Sequence, residues 1–173
     1  LICISAFTSY AQSIFQQQIE ALVKQEGEIF IVVSHQKAGQ TKSCLEEDAL
    51  SNQISFIQDS AFVQYVNHTE LFCETYVLHS QFTYKFSLKD IEATSLRLIE
   101  KKYDYGEGKL EQGPDTWYEL ELISSHKKFS ITKVDMISKQ TENIASVNLL
   151  FKSKNGAKEA MALFKNELKR YGL

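Results

Sequence analysis

The sequence predicts an α+β fold: an antiparallel β-barrel or strongly bent sheet, with an amphipathic helix in front and a second helix capping its end. Three observations carry that expectation. The runs "SIFQQQIEALVKQEG" and "AKEAMALFKNELKRYG" place apolar residues every three or four positions, as a helix with one buried face requires. From residue 61 onward, aromatic and β-branched residues alternate with polar ones in short runs separated by polar breaks, the period of half-buried strands. The chain has 173 residues and a single proline, Pro114, so no proline-rich linker divides it and one domain is expected.

The first residues, "LICISAFTSYAQS", are apolar through Phe7, uncharged, and then small and polar, which is the composition of the tail of a secretory signal. Ser9 and Ala11 supply the small residues a signal peptidase needs, placing cleavage between Ala11 and Gln12; residues 1–11 are thus expected to be a signal remnant. The alternative is a buried strand of the mature fold. Cys3 is not expected to carry a lipid anchor, because Ile2 stands where a small residue belongs.

Behind this segment, Ile14, Phe15, Ile19, Leu22 and Val23 share one helical face, and Gly27 is a natural exit. "EIFIVVSH" reads as a covered strand, "KAGQTKS" as a loop and "CLEEDALSNQ" as a short helix. "AFVQYVNH", "ELFCETYVLHS" and "QFTYKFSL" read as successive strands. "TSLRLIEKKYDY" and "WYELELIS" flank "GEGKLEQGPD", whose glycines and proline mark a hairpin loop. In "WYELELIS", Tyr118, Leu120 and Leu122 alternate with Glu119 and Glu121, which predicts one buried and one wet face. "KKFSITKVD" is expected to pair with it across "SSHK", and "NIASVNLLFKS" to form the last strand. The closing helix, capped by Ser153 or Asn155, presents Ala157, Ala160, Met161, Phe164, Leu168 and Tyr171 on one face as a plug, and Gly172 ends it.

The 43% hydrophobic and 24% charged residues describe a folded chain rather than a disordered one. Beyond the first segment no stretch approaches the roughly 18 apolar residues of a membrane helix, so no transmembrane segment is expected and the mature protein is read as exported, periplasmic or extracellular. Past the signal, Cys44 and Cys73 remain in a compartment that permits disulfides, as a candidate bridge or as two buried thiols. Residues 1–100 hold 6 basic and 12 acidic side chains, residues 101–173 hold 13 and 10. That asymmetry is weak, and with a pI near 5.8 the chain lacks the concentrated basic stripe of a nucleic-acid binder.

"YKFSLKDIEATSLRLI", "WYELELISSHKKFSI" and "ASVNLLFKSKNGAKEAMALFKNELKRYG" together resemble the pleckstrin-homology-like domains of exported Bacteroidetes-type bacterial proteins. In those, a strand ending in leucine and "D-I" or "D-L" leads into the barrel, and a last strand leads into a helix like "AKEAMALFKNELKRYG". The resemblance covers residues 80–172 and implies a bent sheet with a helix plugging one end. It divides the chain into residues 12–79, a helix and extra strands packed on the same domain, and residues 80–173, the barrel with its helix. Lipid-binding members share a lysine followed by "K/R-x-R"; Lys85, Lys89 and Arg97 are too widely spaced for it, with Asp90 and Glu92 among them, so no headgroup site is carried over.

No catalytic site, metal site or cofactor is expected. Cys44 and Cys73 and the histidines His35, His68, His79 and His126 occur in none of the local nucleophile or zinc spacings. "GEGKLEQG" has the composition of a phosphate loop but precedes a strand rather than a helix. Asn67 to Thr69 forms a glycosylation acceptor triplet, relevant only in a eukaryote. The acidic residues fall mostly at outward strand positions or in turns, which disfavours a paired-carboxylate hydrolase. The expected function is a non-enzymatic binding or assembly module for a protein or peptide partner. The alternative is a carrier of a small apolar ligand in a β-barrel cavity, and a hydrolase ranks below both.

Overall fold

The computed structural model describes residues 12–36, 44–72, 76–125 and 129–172. Residues 1–11, expected to be a signal remnant, and Cys73 and His126 therefore lie outside the described residues. Helix α1 (Ile14–Glu26) is opened by a capping box in which Ser13 Oγ accepts from the Gln16 N–H and the Gln16 side chain accepts from the Ser13 N–H. Phe15, Ile19 and Val23 are buried, while Ile14 is exposed. Gly27 ends the helix without a left-handed turn, at φ −87°. Glycine is required there because a Cβ would run into Asn52 Nδ2 and the Val23 carbonyl.

Among the described residues ten strands follow: β1 (Glu28–His35), β2 (Cys44–Ile57), β3 (Ser60–Leu71), β4 (Tyr76–Ser87), β5 (Arg97–Lys102), β6 (Lys109–Gln112), β7 (Thr116–Ile123), β8 (Ile131–Asp135), β9 (Thr141–Ile144) and β10 (Ser146–Phe151). Helix α2 (Lys154–Lys169) closes the chain, capped by Ser153 Oγ accepting from the Gly156 N–H. The strands form a seven-stranded sheet, β6-β1-β2-β3-β4-β8-β9, and a three-stranded sheet, β10-β7-β5. All pairings are antiparallel. Neither described helix is long and apolar enough to cross a membrane.

The α+β class and the terminal helix follow the sequence expectation; several local assignments do not. "CLEEDALSNQ" is not a short helix but the first part of β2. Its inward face carries Asp48 and Asn52 among apolar residues, so the period-two signal is blurred in a hydropathy reading. "GEGKLEQGPD" is not a bare hairpin loop, because Lys109–Gln112 forms β6 and pairs with β1. Gly113, at φ +100°, then turns the chain from one sheet to the other, with its Cα so close to the Phe30 carbonyl that no side chain fits. β8 pairs with β4 and β9, not with the preceding strand β7. The division at residues 79 and 80 falls inside β4, whose ladder with β3 runs unbroken from Tyr76 to Ser87.

Two cores result. The larger joins the two helices, the lower concave face of the large sheet (Ile54, Phe56, Ala61, Val63, Phe86, Ile131) and one face of the small sheet (Leu120, Leu122, Val147, Leu149, Phe151). Of the proposed plug residues, Ala157, Ala160, Phe164 and Leu168 are fully buried in it, and Met161 and Tyr171 pack partly buried against it. The smaller core, Ile29, Ile31, Val33 and Leu150 with Tyr65, Tyr103 and Trp117 around them, fills the space between the upper large sheet and the other face of the small one. Asn52 sits at the junction: Nδ2 donates to the Gly27 and Leu150 carbonyls at 3.1 and 3.3 Å, and Oδ1 accepts from the Leu150 N–H at 2.8 Å.

Candidate binding site

Strand alternation sends Glu46 and Asp48 of β2 inward beside Leu50, and the β2–β3 register places Thr69 opposite Asp48 and Tyr65 opposite Asn52. Asp48 is buried, and its two carboxylate oxygens accept from the hydroxyls of Thr69 and Tyr103. The Tyr103 hydroxyl also lies 3.3 Å from Glu46 Oε1, while Glu46 Oε2 meets His35 Nε2 at 2.8 Å. Burial, then the bond to Asp48, raises the Tyr103 phenol well above its ordinary value, because the phenolate would face carboxylates in a half-dry site.

Beside this network a cavity of about 260 Å³ lies between the sheets, lined by Tyr65, Tyr84, Lys133, Ile144, Val147, Leu150, Glu119 and Asn148 among others. Glu119 belongs to the face of β7 that "WYELELIS" marks as wet, yet its side chain is only 13% exposed. That expectation is corrected: the small sheet is covered on both faces, by helices on one and by the large sheet on the other. Glu119 accepts from Asn148 Nδ2 at 2.8 Å, meets Trp117 Nε1 at 3.4 Å, and has Lys101 Nζ at 3.8 Å. Across the cavity Lys133 binds Glu142 at 2.7 Å and lies 4.4 Å above the Phe82 ring. Burial, then the nearby Glu119 charge, pushes the Tyr65 phenol up to about 12. Burial, then Glu142, raises that of Tyr84. Glu119, which the sequence placed on a wet face, thus faces in, as do Glu46 and Asp48 of the segment read as a short helix.

A second feature lies at the rim. β8 pairs with β4 only from Phe82 to Lys85, and beyond it the Met136 N–H donates to the Gln81 carbonyl at 2.8 Å. Among the described residues no strand pairs with that side of β4 before Gln81. Alternation gives Val77 and His79 the same outward N–H and C=O direction as Gln81. Residues 76–81 carry no Asp, Glu, Lys, Arg, Pro or Gly, and Val77 and Leu78 are 56% and 45% exposed, with Phe72 and Leu45 also exposed nearby in the register. Free β-edges are ordinarily guarded by charge, proline or bulges. The edge of β5 is so guarded, by Arg97, Glu100, Lys101 and Lys102.

The other sequence candidates do not converge. His68 and His79 are direct cross-strand partners with ring centroids 5.8 Å apart, on the outer face, but no group of three or more His, Cys, Asp or Glu suited to a metal occurs among the described residues. Cys44 is disulfide-bonded, which removes it as a nucleophile. Lys85 lies over the Phe62 ring, Lys89 pairs with Asp59, and Arg97 opens β5. Asn67 of the glycosylation triplet points into the concave face, where its Oδ1 is buried without a partner, and Thr69 is engaged by Asp48. Sequence reasoning missed the interior carboxylates and the bare edge; the uncharged run "YVLHSQ" was the one visible signal for the latter.

Fold and site together define an α+β protein of two antiparallel sheets with a semi-polar cavity between them and, among the described residues, an uncharged stretch of β4 edge that no strand covers. Compared with known protein families, with curated proteins and with solved structures, the chain matches none.

Proposed function

We propose that the protein is an exported, non-enzymatic binding or assembly module of pleckstrin-homology-like barrel type, acting in the periplasm or outside the cell, and that it takes up an extended, apolar peptide segment of a partner protein as an added strand on β4. The free, uncharged edge at Val77 and His79 is the observation that carries this reading. Strand addition draws its affinity from main-chain hydrogen bonds and its specificity from alternate side chains, and Val77 and Leu78 offer an apolar contact on each face of the added strand.

Support for the barrel comes from the order of pairings. From β1 they run through β2, β3, β4 and β8 to β9, which continues past Ala145 as β10; β10 pairs with β7, which is continuous through residues 113–115 with β6, and β6 pairs with β1. Support for export comes from the signal-like first residues and from the disulfide at Cys44, since such bonds persist in oxidising compartments. A carrier of an apolar ligand is less favoured, because Glu119, Lys133 and Asn148 line the cavity.

The test selects peptides from a displayed library against the protein and its H79P and V77K variants. Proline at position 79 removes an outward N–H that no described strand uses and is tolerated on an edge; lysine at 77 adds an edge charge. Selected extended peptides are expected to protect the Val77 and His79 amides from exchange and to lose binding to both variants. Peptides that bind the variants as well as the parent, or a library that yields none, would sink the reading.

A further inference from the structure

We infer that the cavity between the two sheets is a binding site for a small zwitterion, a free amino acid with an apolar side chain, its ammonium on Glu119 and its carboxylate on Lys133. The two opposite charges line the same space, and neither is saturated by the described residues. Glu119 has one short contact, to Asn148 at 2.8 Å; those to Trp117 and Lys101 are 3.4 and 3.8 Å long, although a carboxylate has about four acceptor sites. Lys133 spends one of its three N–H donors on Glu142 and rests one face on Phe82. The Glu142 side chain is 60% exposed, so that ion pair holds Lys133 only weakly.

The neutral lining points the same way. Tyr65 and Tyr84 both border the cavity, and neither hydroxyl has a hydrogen-bond partner among the described residues. Each can donate to a carboxylate, or accept from an ammonium, so four polar groups converge on one small volume. Ile144, Val147 and Leu150 supply the apolar wall for a side chain. The volume of about 260 Å³ lies below the roughly 300–1,000 Å³ of drug-sized pockets, which suits a molecule of amino-acid size. A ligand of one charge would meet only one of the two partly buried groups and leave the other with its existing protein partner alone, whereas a zwitterion meets both.

Isothermal titration calorimetry with three probes of one branched skeleton tests this: L-leucine with both charges, isoamylamine with the ammonium alone and 4-methylpentanoate with the carboxylate alone. Leucine is expected to bind at least roughly tenfold more tightly than either single-charge probe, the worth of one charge-assisted hydrogen bond. The near-isosteric E119Q variant should lose that advantage over 4-methylpentanoate, and K133M that over isoamylamine, with thermal unfolding showing each variant folded. Should E119Q fail to fold, K133M at the wetter side of the cavity carries the test. Leucine binding no tighter than the two analogues, binding unchanged in a folded variant, or no heat at about 10 mM leucine would overturn the assignment. The V77K edge variant should bind leucine like the parent, which separates this site from the edge on β4.

Discussion

Asn52 is a polar residue at the meeting point of three elements, and its single side chain satisfies backbone groups of two of them. Asn52→Leu leaves the Leu150 N–H and two carbonyls without that partner while keeping the volume close. A buried group left unsatisfied costs about 1–3 kcal/mol, so urea unfolding should show a loss of at least that size. A loss near zero would mean that the junction is wet or repacks. Tyr65 gives a second residue-scale expectation. Its phenol, pushed up to about 12 in the folded protein, titrates near 10 when unfolded. Above pH 10 the unfolded chain gives up a proton that the folded one keeps, so stability should be full below pH 10 and fall as pH rises toward 12. Melting temperatures of the parent and Tyr65→Phe between pH 9 and 12 check this: the variant's decline should be shallower. Neither Asn52 nor Tyr65 stands out in the sequence, because their importance lies in partners nearly 100 positions away or on another sheet.

Among the elements, α2 has the clearest account. Its stripe was legible because four turns of helix give an apolar period that no strand can imitate, and Ala157, Ala160, Phe164 and Leu168 are all buried. The two alanines let the helix lie close to the small sheet, and Phe164 meets Phe15 of α1 edge to face at 5.2 Å. Phe164→Ala should therefore cost about 3–5 kcal/mol, measured by chemical denaturation, and it should loosen α1 as well. Hydrogen exchange that left α1 amides as protected as before would contradict the coupling. β2 was illegible for the opposite reason. Its inward positions run from Glu46 and Asp48 through Leu50 and Asn52 to Ile54 and Phe56, so polar and apolar residues share a face, and hydropathy alternation records only the lower half of the strand.

Across the whole molecule, the long β2–β3–β4 ribbon carries both the inward carboxylates Glu46 and Asp48 and the edge of β4 that no described strand covers. At the start of β2, Cys44 is buried and disulfide-bonded. The β2–β3 ladder brings the Phe72 N–H to the Leu45 carbonyl at 3.0 Å, and Cys73, the other cysteine past the first segment, is the expected partner of Cys44. Non-reducing peptide mapping should return a Cys44–Cys73 crosslink. Its reduction should lower stability by about 3 kcal/mol, the scale for a loop of this kind; a Cys3 link, or no change in melting on reduction, would break the expectation.

Local sequence was enough to specify a folded α+β chain, the two amphipathic helices with the Ser153 cap, and the strand-rich middle. Those features are written in local periods of 3.6 and 2 and in side chains that cap their own backbone. Long-range packing set the rest: β8 returns to β4, β6 breaks out of its loop to pair with β1, Glu119 is covered and β4 runs past β8. These depend on which long-range partner covers a face or an edge. A face is wet or dry according to what lies across from it, and that partner is fixed by packing the whole chain rather than by the residues on either side.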